Sequence, residues 1–293
     1  MAPVKPEAEI MVDAALVSAL LSEQHAELAG LEPLAVDSGW DNWMFRLGDS
    51  LAARLPRRRA AVVPLEQELR WLPLVTRGIT LPVPEIVGVG RPGAGYPWPW
   101  SVVRWIAGAS AEREQPAPSQ AAVLGAFLAE LHRPAPADAP RNDYRGVSLV
   151  TRAEEMGRRL AEARVRVPEL DHRRLDEIWS AALAAPVDLS PTWLHGDLHP
   201  RNLIVEAGRL VGVIDWGDLC VGDPACDLAT AWMNFDPAHH GELWRARGRP
   251  SPATMARARG WALFFAVILV AVDEDPLFAQ AGRRTLARLC TRV

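Results

Sequence analysis

Two neighbouring stretches, WLHGDLHPRNLIV at residues 193–205 and VIDWG at residues 213–217, carry most of the information in this 293-residue sequence. They place four polar residues between short apolar runs, in the order His195, Asp197, Asn202 and Asp215. The spacing is His-x-Asp-x4-Asn, followed by a short strand and then Ile-Asp-x-Gly. Because loops held by rigid strands commonly carry functional groups, we expect these four side chains to form one site.

The chemistry of this order suits phosphoryl transfer, which needs positioning and charge neutralisation more than covalent help. Asp197 is the candidate to receive the proton of an attacking hydroxyl. Asn202 and Asp215 offer the oxygen ligands that Mg²⁺ prefers, and His195 is expected to support the loop through hydrogen bonds. The pattern therefore predicts a kinase site with Mg²⁺ and a nucleotide.

Two other interpretations use the same residues. Taken singly, Asp, Asn and Gly after a strand are ordinary turn residues. The triplet His195, Asp197 and His199 also suits a metal-dependent hydrolase, with Asp215 or Asp218 bridging two ions. The chain has only seven histidines and no second paired-histidine motif, and Asn202 has no role in such a site.

The composition predicts a soluble globular protein, with 49% apolar and 23% charged residues and a net charge of −4. That charge argues against a nucleic-acid partner. Three cysteines without CxxC spacing predict neither disulfides nor a zinc site, so the expected location is cytoplasmic. The N-terminus lacks the pattern of a signal peptide, and the apolar run 261–272 is too short to span a bilayer. We therefore expect a buried helix there and no membrane association.

The order of apolar patterns predicts an α+β protein with two lobes. Residues 1–106 should form an N-terminal nucleotide-binding lobe, in which five antiparallel strands and one packing helix, residues 64–77, make a small sheet. Residues 107–293 should form a larger helical lobe with the catalytic loop, the metal site and the acceptor site. Its predicted helices cover residues 119–133, 151–163, 171–184, 225–235, 252–272 and 276–290, and a strand–turn–strand covers 202–214.

The segment Gly88–Gly93 matches G-x-G-x-x-G, a pattern found in dinucleotide-binding loops. Such a loop needs free amides at the start of a helix, whereas Pro92 removes one amide and no helical pattern follows. We therefore predict a simple connection between strands.

The chain resembles the aminoglycoside phosphotransferase family of small-molecule kinases, which share the protein-kinase fold. The specific matches are HGDLHPRN at 195–202, VIDWG at 213–217 and GDPACDLA at 222–229. Weaker matches are WSVVRWIAG at 100–108, similar to the family's hinge strand, and EQELRWLP at 66–73, similar to its sheet-packing helix. The likeness covers roughly residues 30 to 290.

The resemblance implies a role for each matching residue of the second lobe. It implies that Asp197 is the catalytic aspartate, that Asn202 and Asp215 are the Mg²⁺ ligands, and that Asp227 is a buried brace accepting backbone hydrogen bonds from the catalytic loop. It also implies that the donor is ATP or GTP.

In the first lobe the resemblance places the nucleobase against backbone groups of Val103, Arg104 and Trp105. Arg54 stands where protein kinases carry a phosphate-binding lysine, and arginine can grip phosphate in a bidentate way. Its expected ion-pair partner is Glu68, with Glu66 as the alternative. The first turn lacks the usual glycine-rich form, but its backbone amides with Ser38 and Asn42 are candidates to cap the phosphates.

The acceptor is expected to be hydroxylated and cationic. Between residues 195 and 227, six acidic residues and two arginines leave four net negative charges, of which metal binding and bracing use two or three. Candidate acceptor residues are Asp218, Trp216, Trp232 and Asp236. An aminoglycoside-type antibiotic is the leading acceptor, which implies antibiotic resistance. A metabolic kinase of the same fold, for a sugar, an amino alcohol or a macrolide, is the alternative. Both a monomer and a homodimer are compatible with the sequence.

Overall fold

The computed structural model describes residues 6–36, 39–272 and 275–291 of the chain. They divide into two compact units. The smaller unit includes residues up to 77 and residues 82–107, and the larger includes residues 78–81 and the chain from 108 onward. The smaller unit holds a five-stranded antiparallel sheet and the larger is mainly helical, which confirms the predicted α+β fold class. The assignment of separate roles to two lobes stays a prediction.

The sheet of the smaller unit has the strand order β1-β2-β3-β5-β4, and every neighbouring pair is antiparallel. Its strands are β1 (Pro33–Ala35), β2 (Asn42–Leu47), β3 (Leu51–Pro56), β4 (Ile86–Gly90) and β5 (Trp100–Arg104). Two helices accompany it, α1 (Ala14–Gln24) and α2 (Val62–Val75). The buried side chains of α1, including Leu20 and Leu21, form one apolar cluster with residues of β2, β3 and β5.

The glycine-rich segment 88–93 covers the end of β4 and the start of the turn that follows, and it is not a phosphate loop. Gly93 pairs with Tyr96 in an isolated antiparallel bridge, and the chain then enters β5 without forming a helix. Gly90 is required for a packing reason, because a Cβ there would lie 1.9 Å from the indole of the fully buried Trp100. Gly90 of this motif therefore serves strand packing. No helix follows the motif, which agrees with the prediction made from Pro92.

The larger unit contains eight α-helices and five short strands in its described residues. The helices are α3 (Ala121–Leu131), α4 (Ala153–Arg166), α5 (His172–Ala184), α6 (Ala225–Leu228), α7 (Thr230–Asn234), α8 (His240–Arg247), α9 (Pro252–Val270) and α10 (Pro276–Cys290). The strands are β6 (Ala109–Ser110), β7 (Thr192–Leu194), β8 (Leu203–Glu206), β9 (Arg209–Val213) and β10 (Cys220–Gly222).

Two differences from the predicted helices have simple causes. The predicted helix at residues 225–235 is broken into α6 and α7, each too short to show a helical period. Helix α8 was not predicted, since only Leu243 and Trp244 are large apolar residues within its eight positions. Tertiary contact with α3 buries both of them.

Helix α9 forms the centre of the larger unit. It has 19 residues and is long and apolar enough to cross a membrane, but 72% of its most apolar window is buried inside the protein. It packs against α4, α5, α6, α7 and α10. A helix that is apolar on every side is expected when neighbours surround it, so the predicted buried helix is confirmed, and it ends at Val270, two residues before the predicted end.

Helices α3 and α8 approach each other closely at Gly125. A Cβ at this position would lie 2.3 Å from the carbonyl oxygen of Leu243, so no larger residue fits without separating the two helices. Gly157, in the middle of α4, offers a contrast because no atom lies within 4 Å of the Cβ position.

We expect Gly125→Ala to lower the free energy of unfolding by about 1–3 kcal/mol, as overpacking does in a dense core. Gly157→Ala should instead raise it by about 0.5–1 kcal/mol, because alanine is the better helix former. Urea unfolding of both variants measures the difference. Equal effects of the two substitutions would show that α3 and α8 do not pack in this way.

Candidate active site

The turn after β7 presents Asp197 at the surface of the larger unit. Trp193 and Leu194 are buried in the strand, whereas the Asp197 side chain is about 20% exposed. Gly196 between them has φ of +86°, and a Cβ there would lie 2.6 Å from the carbonyl oxygen of Asp218. Only glycine satisfies both conditions, so Gly196 sets the direction in which Asp197 leaves the strand.

The buried carboxylate of Asp227 holds this turn in place through hydrogen bonds. Asp227, 1% exposed, accepts hydrogen bonds from the backbone N–H of His195 at 2.8 Å and of Gly196 at 2.9 Å. His132 on the other side lies with its Nε2 3.4 Å from the same carboxylate. Two otherwise unpaired N–H groups are thereby satisfied in the interior, and the catalytic loop is held against α6.

His195 uses both ring nitrogens inside the protein. Its Nδ1 accepts from the backbone N–H of Asp197 at 3.2 Å, and its Nε2 donates to the carbonyl of Ile214 at 3.0 Å. The ring is fully buried and packs on Trp216 with centroids 4.6 Å apart. Neither nitrogen is available as a metal ligand, so His195 supports the loop.

The hairpin of β8 and β9 brings Asn202 and Asp215 to the same end of the larger unit's central strands. Leu203 pairs with Val213, and the Ile214 N–H donates to the Asn202 carbonyl at 2.9 Å. Asn202 is 2% exposed, and its Nδ2 donates to the Asp197 carbonyl at 2.8 Å. This bond occupies the nitrogen of the amide and leaves its oxygen for another partner.

Asp215 is exposed and adopts φ of +62°, a left-handed conformation that is uncommon for a residue other than glycine. Strained conformations of this kind concentrate at functional sites. The donor set at this end of the hairpin, one amide oxygen and one carboxylate, consists of the hard oxygen ligands that Mg²⁺ takes beside water and phosphate. The residues present therefore fit a magnesium ion.

Asp197 is surrounded by cationic and hydrogen-bonding groups. Arg145 donates from Nη2 to its Oδ1 at 2.9 Å, and the Nε2 of His199 lies 3.2 Å from its Oδ2. Burial by itself would raise the pKa of the Asp197 carboxyl, but the charges of His199 and Arg145 outweigh burial and hold that pKa well below its usual range. Asp197 is consequently ionised at neutral pH.

Arg145 was missed by the sequence reasoning. It comes from the connection between α3 and α4, 52 residues before Asp197, and also donates from Nε to Asp218 at 3.2 Å. Asn142 donates to the other oxygen of Asp218 at 2.7 Å. No spacing rule links this proline-bearing connection to the catalytic loop, and the segment NDYRG at 142–146 has no signature of its own, so only the tertiary structure reveals the contact.

Arg201 ties the catalytic loop to the start of α10. It donates to Glu112 at 2.8 Å and to Asp275 at 2.5 Å, and its guanidinium lies 3.5 Å from the ring centroid of Phe278. Asp275 is also the N-cap of α10. The arginine of the HPRN motif is therefore a structural anchor, and it stacks on the same Phe278 ring that His199 contacts.

Two of the four predicted acceptor residues need correction. Trp216 is fully buried against Phe127, and Trp232, 5% exposed, packs on Trp244, so both indoles are core residues that an acceptor does not reach. Asp236 is exposed and pairs with Arg288 at 2.8 Å, and its acceptor role stays a prediction. Aromatic residues near a catalytic motif are more often buried, because their large apolar area drives them into the core.

Asp218 does line an open recess of about 190 Å³. The recess lies beside the Asp197–Arg145 pair and combines apolar surface from α9 with four charged side chains. Its lining residues are Tyr144, Arg145, Arg152, Glu155, Asp218, Phe264 and Ile268. Its mixed polar and apolar lining suits part of a small molecule that carries hydroxyl groups.

The predicted phosphate-binding residues of the smaller unit lie on its sheet and helix. Arg54 on β3 and Glu68 on α2 form a buried bidentate ion pair with N–O distances of 2.5 and 3.0 Å. Glu66, the alternative partner, is exposed. Asn42 begins β2, and its buried Oδ1 has no hydrogen-bond partner within the described part of the chain. Ser38 lies outside the described residues.

The segment predicted to hold the nucleobase has its amides already engaged. The backbone N–H of Arg104 donates to Glu85 and that of Trp105 to Ser50, both at 2.8 Å. Val103 is 4% exposed and pairs within the sheet. A nucleobase here would have to use carbonyl groups or the residues that follow Trp105, so the role of these three residues stays a prediction.

Comparison with known proteins identifies the class. Residues 32–261 match the model of the phosphotransferase enzyme family, and the chain belongs to that family. An aminoglycoside 3'-phosphotransferase of Streptomyces fradiae is 32% identical over 192 residues, covering 62% of this chain and 68% of the relative. Another from Salmonella typhimurium is 29% identical over 133 residues, 44% of this chain, and the match spans about half of that relative's length, 49%.

A solved structure extends the likeness to the fold. The GDP complex of wild-type aminoglycoside 2'-phosphotransferase-IIIa superposes with a TM-score of 0.68, covering 95% of this chain and 98% of that one at 18% identity. At this identity the superposition concerns the fold alone. It matches the kinase-like α+β architecture implied by the sequence motifs.

We expect Asp227→Asn to lower the free energy of unfolding by about 1–3 kcal/mol, because the amide nitrogen would face a backbone N–H that has lost its acceptor. Turnover should fall as well, since the turn that carries Asp197 loosens. Thermal unfolding and steady-state kinetics measure the two effects. Asp171→Asn is the control, because Asp171 caps α5 and asparagine caps a helix equally well. An Asp227→Asn protein as stable and as active as that control would refute the bracing role.

Proposed function

We propose that this chain transfers the γ-phosphate of ATP or GTP to a hydroxyl group of a small molecule, with an aminoglycoside-type antibiotic as the leading acceptor. Membership of the phosphotransferase enzyme family supports the reaction class. The two aminoglycoside phosphotransferases described above support the acceptor class.

The observation that carries the proposal is the hydrogen bond from Asn202 Nδ2 to the carbonyl of Asp197 at 2.8 Å. It couples the candidate base to a candidate metal ligand within one short turn. Asp215 reaches the same end of the β8–β9 hairpin through strand pairing. Two oxygen-bearing side chains from one turn and a third from the end of β9 are thus candidates for one site, and positioning an alcohol and a metal-bound phosphate requires such a set.

In the proposed reaction Asp197 accepts a hydrogen bond from the acceptor hydroxyl and orients its oxygen towards the γ-phosphorus. A bond forms between these two atoms, and the bond from the γ-phosphorus to the β,γ-bridging oxygen breaks. The hydroxyl proton passes to the Asp197 carboxylate, and the nucleoside diphosphate leaves. The depressed pKa of Asp197 suits a loose transition state, in which orientation matters more than early proton removal.

Each unit, taken by itself, offers candidate groups for the donor. Asn202 Oδ1 and the Asp215 carboxylate are the proposed Mg²⁺ ligands, and the ion would neutralise charge on the transferred phosphoryl group. Arg54, oriented by Glu68, is the proposed phosphate-binding cation, and the first turn with Asn42 the proposed cap. The planar guanidinium of arginine would donate two parallel hydrogen bonds to a pair of phosphate oxygens.

A metabolic kinase with a sugar, amino alcohol or macrolide acceptor is the alternative, and it shares every group named here except those that bind the acceptor. The hydrolase alternative is weaker, because both ring nitrogens of His195 are engaged. No group of three His, Cys, Asp or Glu residues suited to a metal occurs among the described residues.

The proposed location is the cytoplasm, which supplies the nucleotide. The three cysteines are free thiols, and burial raises the pKa of Cys220 and Cys226 well above the usual value, so these two are inert structural residues. Monomer and homodimer both remain compatible with this function.

The first test offers ATP and GTP with a panel of aminoglycosides, macrolides, amino alcohols and sugars, and records nucleoside diphosphate release. Asp197→Asn should lower kcat by about 10²–10⁴-fold with little change in nucleotide affinity, since it removes the proton acceptor but no donor contact. Asp176→Asn, an exposed substitution on α5, is the charge-matched control. Full turnover by Asp197→Asn would remove Asp197 from the chemistry.

The second test concerns the metal. Asp215→Asn should raise the Mg²⁺ concentration needed for half-maximal nucleotide binding by about tenfold or more, equivalent to about 1.4 kcal/mol, because a charged ligand becomes neutral. Titration of Mg²⁺ at fixed nucleotide, followed by intrinsic tryptophan fluorescence, measures this. A Mg²⁺ titration that coincides with that of Asp176→Asn would exclude Asp215 as a ligand.

A further inference from the structure

The recess beside Asp197 is electrically balanced, although the sequence around it is acidic. Arg145 and Arg152 contribute two positive charges to its lining, and Glu155 and Asp218 contribute two negative charges. The two carboxylates of the lining, Glu155 and Asp218, therefore do not present an open field of negative charge. This changes which chemical group can lie next to the reacting hydroxyl.

Arg145 lies between Asp197 and Asp218, the two carboxylates that an ammonium group of an acceptor would otherwise bind. Its Nη2 donates to Asp197 at 2.9 Å and its Nε donates to Asp218 at 3.2 Å. The guanidinium carbon also lies 5.0 Å from the ring centroid of Phe265, so an aromatic face supports the cation. Burial on its own would lower the pKa of Arg145, but the two carboxylates hold it above the usual value, and the positive charge is permanent.

The segment that carries Arg145 is attached at both ends. The carbonyl of Pro140 accepts from Val221 and the carbonyl of Gly146 accepts from Asp223, both at 2.8 Å. Gly146 has φ of +63°, and a Cβ there would lie 2.4 Å from Leu194 Cδ1. The Asn142 side chain accepts from the Arg145 N–H at 3.1 Å. Because this segment is held at both ends, Arg145 is already in position before a ligand binds.

Arg145 retains one donor group for a ligand. Its Nη1 has no hydrogen-bond partner among residues 6–36, 39–272 and 275–291, and the side chain is about 20% exposed at the recess. A guanidinium nitrogen donates to oxygen and repels a second cation. The favoured neighbour is therefore a hydroxyl, carbonyl or carboxylate oxygen.

We propose that Arg145 is a specificity-determining residue, which selects an oxygen-bearing substituent over an ammonium group at the acceptor position next to the reacting hydroxyl. The inference rests on the proposed function, because it concerns the acceptor of that reaction. A polycationic acceptor still binds under this rule, with its ammonium groups placed further from Asp197, for example near Glu155. The rule thus concerns which hydroxyl of such a molecule reacts.

The test compares two small probes that differ in one group, methyl α-D-glucopyranoside and methyl 2-amino-2-deoxy-α-D-glucopyranoside, at a pH at which the amine is protonated. Dissociation constants for the full-length protein are measured by ligand-observed NMR at low ionic strength, because salt screens the effect. The wild-type protein should bind the amino probe no more tightly than the neutral one. Arg145→Gln should shift the ratio of the two constants by about tenfold towards the amino probe, or about 1.4 kcal/mol, since two carboxylates lose their cation.

Two further variants separate charge from structure. Arg145→Lys keeps a cation between the carboxylates and should keep the wild-type ratio, whereas a purely structural role predicts that lysine and glutamine behave alike. Arg173→Gln removes an exposed arginine that pairs with Glu177 on α5, and it should leave both constants unchanged.

Three results would overturn the proposal: a wild-type preference of tenfold or more for the amino probe, an unchanged ratio in Arg145→Gln, or no binding of the amino probe to Arg145→Gln at any concentration reached. The wild-type ratio decides even if the glutamine variant does not fold. Turnover of the wild-type protein on the acceptor panel is scored separately, so that loss of the proposed function and loss of the Arg145 rule are distinguished.

Discussion

The carboxylate of Asp227 accepts hydrogen bonds from two consecutive backbone N–H groups, and the remainder of the site depends on this arrangement. It fixes the His195–Gly196 turn, and the turn sets the position of Asp197. Through the Asn202 amide the same loop is joined to the start of β8. A buried charge is costly unless its hydrogen bonds are satisfied, and here the cost is offset by N–H groups that would otherwise be unpaired.

Ion pairing redistributes the negative charge that the sequence concentrates between residues 195 and 227. Arg145 neutralises Asp218 and part of Asp197, and Arg257 on α9 forms a buried pair with Asp223 at 2.6 Å. Net charge along a sequence therefore overstates the field that a ligand experiences. The charged groups that remain near Asp197 nearly cancel, so the position of each group decides which ligand atoms it can contact.

The smaller unit contains a second buried ionic element, the Arg54–Glu68 pair. A buried ion pair contributes little net stability, because desolvation of both ions opposes their attraction, but removing one partner is costly. The Arg54–Glu68 pair is therefore better explained by its effect on side-chain orientation than by a contribution to stability. It links α2 to β3 and holds the planar guanidinium in a defined orientation, which a phosphate-binding role would need. The contact itself joins residues 14 positions apart, a separation that α2 and β3 bring together only in the folded unit.

Sequence patterns predicted the fold class, the five strands of the smaller unit, most helices of the larger unit, and Asp197, Asn202, Asp215 and Asp227 as candidates, because their spacing is short and each lies next to a strongly apolar strand or helix. Helix α8, the burial of Trp216 and Trp232, and the contact of Arg145 with Asp197 were decided by tertiary structure. In most of these cases the partner lies far along the chain, as Phe127 does for Trp216, and packing selects it. Local sequence pattern determines which residues are candidates for the site. Long-range contacts determine which charged groups surround them.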